Sequence, residues 1–111
     1  MKLAALGEDA LIQRLLRSLA SSADVRVGPG DDCAVIGRPR AACWTLLKTD
    51  CVVEGIHFNS AEKRSRVGWK ALCRAISDIA AMGGLPRHAL VTLAAPRTAE
   101  VKEIEDLYRG L

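Results

Sequence analysis

VGWKALCRAISDIAAMGGLP, running from Val67 to Pro86, has one periodicity from end to end. Val67, Ala71, Leu72, Ala75, Ile76, Ile79 and Met82 recur at steps of three and four, the signature of an amphipathic helix of about four turns. Gly83-Gly84 and then Pro86 stop it, because glycine accepts the left-handed backbone of a helix end and proline cannot continue the hydrogen-bond ladder. On the other side Lys70, Arg74 and Asp78 follow at four-residue steps, so three charges rise along one stripe.

Working outward, the segment from Ala42 to Val53 is rich in Trp, Thr, Leu, Val and Cys without helical periodicity and reads as a long strand. Before it, Val25-Arg26-Val27 and Ala34-Val35-Ile36 read as short strands flanking the turn-forming Gly28-Pro29-Gly30-Asp31-Asp32. Leu11, Ile12, Leu15, Leu16 and Leu19 follow the acidic pair Glu8-Asp9, which suits the positive end of a helix dipole and predicts a first helix from Glu8 to Leu19. Beyond the central helix, His88 to Ala95 reads as another strand ended by Pro96, and Thr98 as the cap of a last helix with Val101, Ile104, Leu107 and Tyr108 on one face. The sum is an α/β (α+β) fold, a mixed sheet with helices packed on one face.

At 111 residues the chain predicts one compact unit. A net charge of +3 favours phosphate-bearing ligands. With one Tyr, one Phe and no basic block, a nucleic-acid surface is excluded as an expectation. No apolar run approaches the roughly 20 residues of a membrane span, and Glu8-Asp9 follows Met1 too closely for a secretory core, so the cytoplasm is expected. Cys33, Cys43, Cys51 and Cys73 are spread singly and read as small buried apolar residues rather than a zinc site or a disulfide framework.

Chemistry is suggested by acidic residues at or beside element ends: Asp31 and Asp32 in the turn, Asp50 in the long strand, Asp78 on the helix. Gathered together they would form a hard-oxygen site for magnesium, whose shell is usually completed by water and substrate phosphates. Each also has a plain structural reading. Gly-Asp-Asp makes ordinary turns, and Asp78 could pair with Arg74 on a solvated helix face. His57, between Ile56 and Phe58, could be a packed, hydrogen-bonded core histidine. Asp50, flanked by Leu46-Leu47 and Val52-Val53, has the weakest structural excuse, since burying a carboxylate costs several kcal/mol without a partner. No Gly-x-x-x-x-Gly-Lys-Ser/Thr loop and no protein-kinase signature is present.

The order of these pieces closely resembles the thiamine-monophosphate kinase family. Gly7-Glu8-Asp9-Ala10-Leu11-Ile12 is similar to its opening helix motif and Gly28-Pro29-Gly30-Asp31-Asp32-Cys33-Ala34-Val35 to its first metal loop. Thr49-Asp50-Cys51-Val52-Val53-Glu54-Gly55-Ile56-His57-Phe58 resembles its second motif. Gly68-Trp69-Lys70-Ala71-Leu72 and Ser77-Asp78-Ile79-Ala80-Ala81-Met82-Gly83-Gly84-Leu85-Pro86 resemble its helix motif. The family belongs to the aminoimidazole ribonucleotide synthetase-like superfamily of ATP users, whose paired amino-terminal domains build the ATP site at a homodimer interface.

By resemblance, Asp32, Thr49, Asp50 and Asp78 would hold magnesium ions bridging the ATP phosphates. His57 would contact thiamine monophosphate, and Tyr108 would lie near the nucleotide. The implied reaction is in-line attack of the thiamine monophosphate phosphate on the γ-phosphorus of ATP, giving thiamine diphosphate and ADP without a phosphoenzyme. Two positions depart from the family pattern. Lys48 stands where a small hydroxyl residue is usual, and Ala75 replaces an asparagine. The resemblance also implies further chain, including a carboxy-terminal domain, so residues 1–111 are expected to be a partial amino-terminal ATP- and magnesium-binding domain with little independent turnover. The alternatives are a non-catalytic dimerisation or nucleotide-binding module of the same superfamily, or a selenophosphate synthetase or purine-synthesis cousin.

Overall fold

The structure, a computed structural model, describes residues 2–111. They cluster into two compact units divided after Leu47, where the sequence suggests one.

The first unit, Met1–Leu47, holds two helices and a sheet. Helix α1 is Leu3–Leu6 and helix α2 is Glu8–Leu16, joined at Gly7 with φ +81°, a conformation that costs glycine nothing. The second helix ends one turn before the expected Leu19. Ser18 Oγ donates to the Leu15 carbonyl at 2.8 Å, satisfying an acceptor the helix would otherwise use. Leu19 stays exposed, so no burial rewards another turn.

Strands β1 (Val25–Val27), β2 (Ala34–Ile36) and β3 (Thr45–Leu47) form one sheet in that order. Both pairings are antiparallel, with a register shift between Val25 and Val27. The sheet is therefore antiparallel rather than mixed among the described residues. Short connections join consecutive strands as hairpins, whereas a parallel neighbour needs a crossover of a dozen or more residues leading into another strand. The core of this unit is Cys33 and Val35. Gly37 lets the Trp44 ring lie where a Cβ would be only 2.7 Å from it, closing the β2–β3 connection.

The second unit, Lys48–Leu111, is built on helix α3, Arg64–Ala81. The sequence placed this helix correctly and its end chemistry too. Gly83 adopts φ +70°, its N–H bonds the Ala80 carbonyl, and the Gly84 N–H bonds the Ile79 carbonyl, both at 2.9 Å. That is the paired closure of a Schellman motif.

Helix α4 is Val101–Gly110. Its cap is Glu100, whose side chain and that of Glu103 exchange bonds with each other's backbone in a capping box, so Thr98 does not start the helix as expected. The two helices pack against each other. Ser65 meets Gly110 while Gly68 meets Leu107, so they run antiparallel. Val67, 1% exposed, is the most deeply buried side chain of the unit.

Three further expectations are corrected. The long strand shrinks to Thr45–Leu47, and Lys48 to Val53 is irregular. His88 to Ala95 forms no strand, and Leu90 is fully exposed; β-propensity alone does not fix a strand when no neighbour supplies the hydrogen bonds. Of the four cysteines only Cys33 is buried, while Cys43 and Cys51 are exposed and Cys73 is intermediate.

Candidate functional site

The charged stripe of α3 finds its partners in the segment that precedes the helix. Asp78 Oδ2 receives the Lys48 ammonium at 2.5 Å. One turn back, Arg74 donates through Nε to Asp50 Oδ2 at 3.1 Å and through Nη2 to Asp50 Oδ1 at 3.3 Å. A turn further back, Lys70 Nζ donates to the His57 carbonyl.

The order is antiparallel: positions 78, 74 and 70 of the helix meet 48, 50 and 57 of the segment. Positions 78 and 74 lie four residues, about 6 Å, apart along the helix, and the irregular segment brings Lys48 and Asp50 level with them. Each acid thus lies against a base from the other element, and each has an opposite charge as its neighbour along its own element.

This arrangement corrects two readings. Asp78 does not pair with Arg74 along the helix; both partners come from the preceding segment. Nor is Asp50 a buried strand carboxylate. No polar or charged residue of the described chain is fully buried, and Val53 is exposed, because the strand ends before reaching it. The Asp50 side chain is 19% exposed beneath Arg74, although the residue as a whole counts as exposed.

The Arg74 hydrogen bond holds the Asp50 carboxyl below its ordinary value of 3.8, against the opposing effect of burial and with help from the Cys51 N–H and the charges of Arg74 and Lys48. The Cys51 N–H donates to Asp50 Oδ1 at 2.7 Å. A carboxyl lowered on folding adds stability that is complete above its unfolded value and fades as pH falls through the folded one. The stability gap between the wild type and Arg74→Met should therefore be constant above about pH 5 and close below pH 3.8. Urea titrations from pH 7 to pH 3 measure it.

His57 sits in a turn that closes on itself. The Val53 carbonyl accepts from the N–H groups of Ile56 and His57, and the Gly55 N–H donates to the Phe58 carbonyl at 2.7 Å. Gly55 has φ +80°, the left-handed region where a side chain would be strained. The Val53 N–H donates to His57 Nδ1 at 3.0 Å. Nδ1 is therefore the acceptor, and the neutral ring carries its proton on Nε2. His57 is half-buried and lines an open concavity of about 400 Å³ with Phe58, Asn59, Glu62, Arg66, Val67, Trp69 and Lys70. The mixture of bases, one acid and the aromatic rings of Phe58 and Trp69 suits an anionic ligand with a flat part.

Lys48, Arg66, Lys70 and Arg74 were not named as site residues from the sequence. For Lys70 and Arg74 the visible signal was the four-residue step of the helix stripe, and for Lys48 its departure from the family pattern. Thr49 is exposed between Lys48 and Asp50. Tyr108, on α4, is half exposed and does not line the concavity. Asp32 belongs to the first unit, in the β1–β2 turn, where its N–H donates to Asp31 Oδ1 at 2.9 Å as turn aspartates commonly do.

Among the described residues no group of three or more His, Cys, Asp or Glu could hold a metal ion. Magnesium asks for less, often one or two carboxylates, with water and substrate phosphate in the other positions. Asp50 and Asp78 are of that donor type, and each already binds a cationic group. In donor chemistry the pair fits the ion. Among the described residues no helix is long and apolar enough to cross a membrane.

Comparison with known proteins gives a consistent result. Residues 30–111 match the family described as AIR synthase related protein, N-terminal domain. The chain is 38% identical over all 111 residues to a thiamine-monophosphate kinase of Aquifex aeolicus, covering 34% of that protein. It is 36% identical over 102 residues to that of Bacillus subtilis, 91% of this chain and 31% of the relative. For that of Escherichia coli the figures are 37% over 97 residues, 86% and 30%. The chain thus spans about a third of the length of these relatives. No solved structure matches it.

Proposed function

The chain belongs to the AIR synthase-related family through its N-terminal domain, and from that premise we propose that it is the nucleotide- and magnesium-binding part of a thiamine-monophosphate kinase. The observation that carries this reading is the 38% identity to such a kinase across all 111 residues. The reaction would join a phosphate oxygen of thiamine monophosphate to the γ-phosphorus of ATP as the bond to ADP breaks. It belongs in the cytoplasm and in a homodimer, as the family resemblance implies.

Asp50 and Asp78, with Thr49, are the groups that would hold magnesium, and Asp32 is assigned to the ion by resemblance alone. The ion would supply charge neutralisation for the ATP phosphates. The chain's own contribution is positioning and electrostatics. Lys48 and Arg74 place positive charge beside the carboxylates. His57 offers an Nε2 proton to the phosphate of thiamine monophosphate, its ring fixed by the Val53 amide. Arg66 and Lys70 add positive charge along the same concavity, while Trp69 and Glu62 suit a cationic heteroaromatic ring. Tyr108 is assigned to the nucleotide by resemblance alone.

A second reading, a nucleotide-binding module without turnover, draws on the Lys48–Asp78 pair, which neutralises one of the two carboxylates. Ligand protection tests the substrate assignment. At a hundredfold excess over Kd, thiamine monophosphate should stabilise the chain by about 2.7 kcal/mol, read as a rise in Tm. His57→Ala should weaken binding roughly tenfold, as expected for one hydrogen bond to a charged group. No protection of the wild type, or equal protection of His57→Ala, would count against the substrate role.

A further inference from the structure

We propose that Lys48 is a built-in counter-ion that a divalent cation must displace from Asp78, so that the site is self-neutralised until the metal arrives. The inference rests on the metal reading of Asp50 and Asp78 given above and turns Lys48 from a fixed neighbouring charge into one that the metal exchanges.

The Lys48–Asp78 and Arg74–Asp50 ion pairs are neighbours, two positive and two negative charges that are neutral as a set of four. A neutral array offers a free divalent cation little net attraction, so entry requires one of the internal cations to leave. The two are not equally held. The Arg74 guanidinium engages both oxygens of Asp50 in a fork, the geometry that makes arginine–carboxylate pairs strong. The Lys48 ammonium is a point charge on a flexible stem, paired to Oδ2 of Asp78.

Both partners also keep contact with solvent, at 24% for Lys48 and 26% for Asp78, so the ammonium can turn away without crossing a packed core. Of the two carboxylates, Asp78 is therefore the one that exchanges its cation. An ammonium turned out of the pair remains beside the site, where an incoming polyphosphate would give it a new partner.

The test uses the 111-residue chain and manganese as the probe ion, with binding measured by electron paramagnetic resonance. Lys48→Met removes the ammonium without adding an oxygen ligand and should tighten Mn2+ binding about tenfold at low salt. Lys48→Arg, which keeps the charge, should bind no more tightly than wild type. Loss of one partly exposed pair is too small an effect to unfold the chain, and circular dichroism of each variant verifies this. In parallel, the Lys48 side-chain signal of 15N-lysine-labelled wild type should shift as Mg2+ is added, with the midpoint of binding.

Equal Mn2+ affinity in wild type and Lys48→Met would overturn the proposal while leaving the metal reading intact, and so would a Lys48 signal unmoved by saturating Mg2+. Absence of Mn2+ binding in wild type and Lys48→Met alike would overturn the metal reading and the counter-ion with it.

Discussion

Gly68→Ala will loosen α4 from α3 and lower the melting temperature of the second unit by roughly 10 °C. A Cβ at position 68 would lie 2.1 Å from the Leu107 carbonyl oxygen, and one at Gly110 would lie 1.9 Å from the Ser65 carbonyl oxygen. Both obstacles are backbone, so no rotamer change can relieve them, and the helices must move apart.

Two effects compete. Alanine is about 1 kcal/mol more favourable than glycine inside a helix. Overpacking costs about 3 kcal/mol when the neighbour is rigid. The clash wins by about 2 kcal/mol, and in a unit of this size each kcal/mol is worth roughly 4–8 °C. Gly110→Ala should behave likewise, and Glu105→Ala, on the exposed side of α4, should be nearly neutral. Thermal melts followed by circular dichroism give the ranking. Faster hydrogen exchange in residues 101–110 would identify α4 as the element released, and unchanged exchange there would show that the glycines are not what brings the helices together.

Asp50→Asn is expected to abolish the magnesium dependence of ATP binding while leaving the fold intact. The stability term is small, since a partly exposed ion pair contributes about 0–1 kcal/mol and asparagine can still accept from Arg74. The ligand term is large. Removing one unit of negative charge about 4 Å from a cation, at the effective dielectric of a protein surface, forfeits several kcal/mol. Affinity for magnesium-ATP should therefore fall on the order of a hundredfold. Calorimetric titration of ATP with and without Mg2+ measures the difference. Binding that is indifferent to magnesium in the wild type, and unchanged in the variant, would remove Asp50 from the metal site.

The helix Arg64–Ala81 was legible from its apolar positions and its Gly83-Gly84 stop, because helix signals are local and every hydrogen bond lies within one segment. The turn at Gly28 to Asp32 and the short strands beside it were legible for the same reason, since turn geometry is written in glycine, proline and aspartate. Strands are different. Ala42–Val53 and His88–Ala95 have β-prone composition, yet only Thr45–Leu47 pairs, because a strand exists only where another supplies the ladder.

The site divides along the same line. Sequence alone named Asp50, Asp78 and His57 and suggested a charge stripe on α3. It could not say that Lys48 meets Asp78 while Arg74 grips Asp50, nor that His57 presents Nε2 because Val53 occupies Nδ1. Those facts depend on an irregular segment running antiparallel beside a helix. Such a match belongs to packing between segments, which no single stretch of sequence contains.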